Sequence, residues 1–280
     1  MRWKLTISLL LAFFVHRFAH AAPATGSIPF DYVDGFILVK AQLNGGQQVN
    51  LILDSGAGAS ILSLDTAHRL NLRLGANRMV QGAGTQAAAF ELSHVKAKAG
   101  DIALSDIPLA VDLSNATELC SRRIDGLIGI DFFANRIVEL DFAARAIHLL
   151  PSVPAADATT CKLPLKSMNG TYCIPIRVNS SNPRWARFDT GCNDALHWIV
   201  PRGKANPVRS NLSIGFMTDA TDLAPSELQL GSHNLSAVET SLHTQPLFPG
   251  EAGLVGTGVL SRFVTTVDLA HKQIFLRPAK

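Results

Sequence analysis

Charge is scarce in this 280-residue chain: Asp, Glu, Lys and Arg make up 17% of it, and aromatic residues only 7%. So low a charged fraction argues against disorder, long solvated helices and coiled coils. Neither sign is in large excess, the formal charge being +3, and no basic stripe or aromatic platform is present to hold nucleic acid. The four cysteines, Cys120, Cys161, Cys173 and Cys192, show no C-x-x-C spacing, which argues against zinc knuckles and thioredoxin-like motifs. The nine histidines form no H-E-x-x-H pattern, and Cys192 with His197 reads as local packing, so no metal site is expected. The 21 glycines and 14 prolines have no period, which excludes collagen-like sequence. Beyond the first 21 residues, no segment approaches the roughly 18 continuous apolar residues of a membrane helix.

What is present begins with a leader. A basic head, Arg2 and Lys4, precedes an apolar run over residues 5–15, and Ala19-His20-Ala21 offers a small-x-small cleavage site. The run is too short to span a bilayer and suits an export signal over residues 1–21. Arg2, Lys4 and Arg17 fall inside that leader, which holds no acid. Without it, 22 bases face 22 acids. The expected mature chain is therefore neutral and exported, periplasmic or extracellular, and an even cysteine count leaves three disulfide pairings open.

The rest of the chain is one unit written twice. Residues 36–43 read as a strand, Asn44-Gly45-Gly46 as a turn and residues 49–53 as a return strand running into Asp54-Ser55-Gly56. Residues 172–178, a turn at 179–183 and residues 184–188 repeat the pattern into Asp189-Thr190-Gly191, at an offset of 135. A second pair of blocks, Gly126-Leu127-Ile128-Gly129 and Gly253-Leu254-Val255-Gly256, repeats at an offset of 127. Strands over 137–140 and 147–150 follow the first block, and strands over 263–267 and 274–276 follow the second. These limits give a first unit over 22–150, a Pro- and Ala-rich linker over 151–160 and a second unit over 161–280. Short alternating or apolar runs make both units mostly β. One helix is expected over residues 64–72, with Ser63 as N-cap and Leu64, Ala67, Leu70 and Leu72 toward the core.

A lone Asp-Ser/Thr-Gly arises by chance in roughly one chain in ten of this length, and reads as an ordinary turn. Two copies at equivalent points of a duplicated β unit, each after an apolar strand, are not supplied by chance. Packed about a pseudo-two-fold axis, the units would bring Asp54 and Asp189 together. Gly56 and Gly191 would allow a sharp turn, and Ser55 and Thr190 would bond across the interface. Two adjacent carboxyls share one proton, so one can act as base on a water while the other donates to a carbonyl.

These residues resemble the aspartic proteases, and the first unit is most similar to the retropepsin-like group. Asp54-Ser55-Gly56-Ala57, the following helix and Leu127-Ile128-Gly129 carry the resemblance, and Asp189-Thr190-Gly191 with Leu254-Val255-Gly256 carries it again. It implies an all-β, bilobal fold of two pseudo-two-fold-related, barrel-like lobes with one or two short helices. It further implies an aspartic endopeptidase acting on a peptide or extended protein, monomeric and needing no cofactor or metal. Gly129 and Gly256 would support the catalytic loops. The tip Gly82-Ala83-Gly84 would serve as a flap, since neither Tyr32 nor Tyr172 lies where the pepsin-like branch has its flap tyrosine. A second flap has only a weak candidate, residues 213–221. Ala57 and Cys192 stand where a serine could favour the ionised carboxylate, so the dyad is expected to titrate higher than in acid-adapted relatives. The rival reading is a catalytically silent relative that binds peptides or an exported partner; the intact pair of Asp loops weighs against it.

Overall fold

In the strand Phe36–Leu43, Ile37, Val39, Ala41 and Leu43 enter the main core, while Phe36 and Leu38 enter a smaller apolar cluster. A strand buried on both faces lies between two layers, hence its near-continuous apolar sequence. Asn44 and Gly45, both in the left-handed region (φ 46° and 78°), turn the chain back into Gln47–Leu53, with Leu38 opposite Ile52. The second half repeats this: Thr171–Val178 pairs with Arg184–Phe188, and Asn179 and Ser180 take positive φ at the turn.

A computed structural model describes residues 25–81, 86–201, 209–213, 216–220 and 222–280. The expected leader, residues 1–21, lies outside the described residues. In the first lobe a ten-stranded sheet carries the hairpin, and in the second a seven-stranded sheet closes on itself where Thr171–Val178 meets Asp222–Leu230. A six-stranded sheet belongs to both halves. Its order is Gly26–Pro29, Ala146–Leu150, Ile137–Asp141, Phe263–Asp268, Gln273–Pro278 and Cys161–Pro164. The halves meet at its centre, where Val138 faces Val267 and Leu140 faces Thr265. Every residue of Phe263–Asp268 is buried, so this sheet is a floor beneath both lobes.

Three short α-helices are described, Leu64–Arg69, Ser114–Leu119 and Thr257–Leu260, with a 3-10 turn at Ile130–Phe133, one more helix than the sequence suggests. The first stops short of Leu72 because Asn71 turns left-handed (φ 52°), and Ser63 makes no side-chain cap. Thr66 and Ala67 are its buried residues, whereas Leu64, Leu70 and Leu72 pack only partly against the core. Thr66 Oγ1 donates to Asp125 (2.8 Å), so the helix is held by a side-chain bond rather than by a cap. All four cysteines are buried free thiols. No helix among the described residues is long and apolar enough to cross a membrane.

Because the floor is shared, damage to it should be felt by both lobes. Leu140→Ala, at a fully buried position, is expected to cost about 2–5 kcal/mol. In denaturant titration Trp fluorescence and far-UV circular dichroism should shift together in one transition.

Candidate active site

Each Asp sits at the end of a strand that is pinned by a parallel neighbour. Gly126–Ile128 pairs with Gln47–Leu53, and Asp54 N donates to Ile128 O at 2.8 Å. Gly253–Val255 pairs with Arg184–Phe188, and Asp189 N donates to Val255 O at 3.1 Å. The next residues bond back to the loops: Ile130 N to Ala57 O, and Thr257 N to Cys192 O. Gly129 and Gly256 pass so close that a Cβ would stand 2.4 Å from the Ala59 carbonyl carbon and 2.2 Å from Asp194 O. Buried Asp125 ties the first loop down, accepting from Asn50 N, Thr66, Arg69 and Arg123.

The loops bring Asp54 and Asp189 together, each only 8% exposed and close enough for each carboxyl to feel the other. A Cβ on Gly56 would lie 2.4 Å from the Asp189 carboxyl carbon, and one on Gly191 would lie 2.2 Å from that of Asp54. Neither glycine has a positive φ. Glycine is required here by the opposite carboxyl rather than by the sharpness of the turn, which corrects the reason read from sequence.

The hydroxyls cross between the lobes in a reciprocal brace. Ser55 N donates to Thr190 Oγ1 (2.9 Å) and Thr190 N to Ser55 Oγ (3.0 Å). Each hydroxyl also donates to a carbonyl of the opposite strand, Ser55 to Phe188 (2.9 Å) and Thr190 to Leu53 (2.8 Å). All four bonds are buried. Further ties run from Thr257 Oγ1 to Gly35 O and from Asn193 Nδ2 to Asp34 O.

The two carboxyls are not equivalent. Asp54 Oδ1 accepts from Gly56 N and Ala57 N, while Asp189 Oδ1 accepts from Gly191 N. Burial, then the neighbouring Asp189 charge, holds the Asp54 carboxyl well above its ordinary 3.8. Burial raises Asp189 as well, but Arg187 pulls it the other way. The Cys192 thiol is pushed up by burial and by Asp189, and so stays protonated beside the pair.

Above the pair a cavity of about 570 Å³ opens between the lobes. Ile61, Val80, Leu109, Val111 and Leu127 wall it on the first-lobe side, and Phe248, Pro249 and Leu254 on the second. Val80 belongs to the hairpin of Asn77–Gln81 with Gln86–Glu91. Gly82, Ala83 and Gly84, expected from the sequence as a flap, lie outside the described residues. In the second lobe Arg209–Ser213 pairs with Phe216–Ala220, and the residues between them are also outside.

This geometry agrees with comparison to known proteins. The sequence model of a family described as Aspartyl protease matches residues 39–132. A crystal structure of an aspartic proteinase from Irpex lacteus superposes with a TM-score of 0.56 at 13% identity, over 92% of this chain and 98% of that one. The fold is aspartic-protease-like. No curated protein matches the sequence significantly.

Several residues around the Asp pair escape a motif search. Trp185 and Trp198 flank the second Asp loop outside the cavity, covered by Lys166 and Arg184 respectively. His197 is buried and bonded to Asp194 (2.9 Å) and His243 (2.8 Å), so its partner is neither Cys192 nor a metal ligand set. Arg187 and Glu251 form a buried ion pair against the second loop, and exposed Asn169 reaches Glu251 from outside. Only the repeat offsets could have exposed it, because they align Arg187 with Ile52 and Glu251 with Ile124.

Thr190→Val keeps the shape of the brace but leaves Ser55 N and Leu53 O without partners. It is expected to cost about 2–4 kcal/mol in denaturant titration, with less than additive loss when combined with Ser55→Ala. The dyad also sets a pH slope. A carboxyl raised in the folded state contributes stability that is present below its unfolded value and lost as pH rises through the folded one. Asp54→Asn should therefore melt progressively higher than wild type as the pH of the scan is raised from acid to neutral.

Proposed function

We propose that the chain is an exported aspartic endopeptidase in which Asp54 and Asp189 activate a water against a peptide bond. The observation that carries this reading is the contact between two buried carboxyls on matched, mutually braced loops at the base of a cleft. Carboxyls in contact cannot both ionise. The ionised one takes a proton from the water as it attacks, and the protonated one donates to the carbonyl oxygen, so the tetrahedral adduct forms without a buried oxyanion. The proton then passes to the leaving amine as the C–N bond breaks, and the shared proton returns to the pair.

An extended peptide fits the cleft, its backbone adding to strand edges and its side chains meeting the apolar walls. On this reading residues 1–21 are removed on export to a periplasmic or extracellular location. The lobes span 22–150 and 161–280 about the 151–160 linker, Gly82 to Gly84 form a flap, and the enzyme works as a monomer without cofactor. An enzyme is favoured over a silent binder by the dyad's own physics. Burying two carboxyls in contact costs stability at neutral pH, and binding a peptide does not require it.

Digestion of a diverse peptide mixture, over about pH 3 to 8, should show wild-type cleavage blocked by a statine-type inhibitor. Asp54→Asn and Asp189→Asn should each lose about 10²–10⁴-fold in rate. The reading fails if wild type cuts nothing or either variant retains full activity.

A further inference from the structure

Duplication makes each position of one lobe a control for its partner in the other. In the first lobe Ile52 and Ile124 lie in an apolar cluster with Phe36, Leu38 and Leu127, against the strand that delivers Asp54. The equivalents in the second lobe are Arg187 and Glu251. The alignment is not only sequential: Asp125 N bonds Asn50 O in one lobe as Ala252 N bonds Trp185 O in the other. An isoleucine pair has thus become a buried ion pair, two residues from Asp189.

The pair is fully formed. Arg187, 2% exposed, donates from Nε to Glu251 Oε2 (2.8 Å) and from Nη2 to Glu251 Oε1 (2.7 Å). Asn169 Nδ2 adds a bond to Glu251 Oε1 (2.8 Å), and Phe248 lies over the guanidinium at 3.3 Å. The remaining arm, Nη1, reaches out of its own lobe to the carbonyl of Gly56 at 2.7 Å. Gly56 is the residue packed directly on the Asp189 carboxyl. The ion pair therefore lies with Glu251 behind and the guanidinium in front, its positive end toward the dyad. The mirrored interaction is absent by chemistry, since Ile52 has no donor to offer Gly191 O.

We propose that Arg187 is a positioning residue that breaks the symmetry of the dyad, holding Asp189 as the carboxylate that activates water and leaving the shared proton on Asp54. It acts in two ways. Its charge favours an anion on Asp189, and its bond to Gly56 O clamps the first catalytic loop from the second lobe. The peptide it polarises is Gly56–Ala57, whose N–H joins that of Gly56 on Asp54 Oδ1. Both N–H groups occupy Oδ1 and leave Oδ2 as the Asp54 oxygen that can carry the proton; these two bonds by themselves favour the anion, and burial beside Asp189 outweighs them. Among the described residues the Cys192 thiol and His197, the latter held by Asp194 and His243, also face the dyad, and Cys173 and Lys166 face the ion pair. Buried replacement of an ion pair by apolar residues is structurally tolerated when both partners go together, as the first lobe itself illustrates.

The role in catalysis rests on the proposed function, so the test reads proton placement as well as turnover. In wild type labelled with carbon-13 at the Asp carboxyls, and assigned with Asp54→Asn and Asp189→Asn, Asp189 should ionise first and Asp54 second. The double variant Arg187→Ile/Glu251→Ile, which copies the first lobe, should raise the Asp189 titration and the acid limb of kcat/KM together, by about one pH unit or more. His197 and Cys192 are unchanged in that comparison. Arg187→Lys should keep the acid limb near wild type while lowering kcat more than it changes KM, because a point charge cannot hold Glu251 and Gly56 O at once. Asp54 ionising first in wild type overturns the proposal even if the double variant does not fold. An unmoved acid limb and titration in a folded double variant overturn it too. A wild type that cuts no peptide removes the proposed function, while the carboxyl titrations still decide the placement of the proton.

Discussion

Two carboxyl groups held in contact away from water repel each other's charge, and everything near them is arranged to make that contact tolerable. The brace of Ser55 and Thr190 is the central device: four buried hydrogen bonds join backbone to hydroxyl to opposite strand, so that neither loop can withdraw without leaving unsatisfied donors and acceptors. The glycines beside each Asp are small because the opposing carboxyl occupies the space a side chain would need. Outside this knot, the parallel strands and the backbone of Gly129 and Gly256 fix each loop to its own lobe, and the six-stranded sheet fixes the lobes to each other.

Near-symmetry creates the contact, but identical halves would leave the proton with no preferred owner. The lobes differ widely in their sheets, and some of the departures lie close to the pair. Ala57 is matched by Cys192, Ile130 by Thr257, which ties itself to Gly35 O, and the isoleucines by Arg187 and Glu251. Each exchange adds polar character to the second lobe. Two lobes of matched architecture can thus carry different side chains where they meet.

Much of this was legible in the sequence because the signals are local or repeated. Alternation and turn residues marked the hairpins at 36–53 and 171–188, and two Asp loops at one offset marked the site. The central sheet was less legible. Residues 137–141 and 263–268 read as strands, yet nothing in either says that they pair with each other, since strand pairing depends on the meeting of faces far apart in the chain. The ion pair was hidden for a different reason. Arg and Glu read as solvent-facing, and only the geometry shows that each satisfies the other in the interior. The end of the first helix was misread because Leu70 and Leu72 keep an apolar pattern after the backbone has left the helix at Asn71. An even number of cysteines left bridges open, whereas Cys120, Cys161 and Cys192 are buried in different apolar clusters and Cys173 beside the Arg187–Glu251 pair.

The shared sheet also has a consequence for how the chain comes to be folded. Ile137–Asp141 receives its second neighbour from Phe263–Asp268, some 130 residues later in synthesis, and Gly26–Pro29 lies at the opposite side of the same sheet from Cys161–Pro164. A newly made first half therefore ends in an unfinished strand edge, open to any other extended chain until its own C-terminal segment arrives. Contacts this distant in sequence make for slow closure, and the interval is the period in which the protein is most exposed to mispairing. The element that makes the two lobes one body is thus the last to be completed, and sets the time at which the molecule becomes safe from its neighbours.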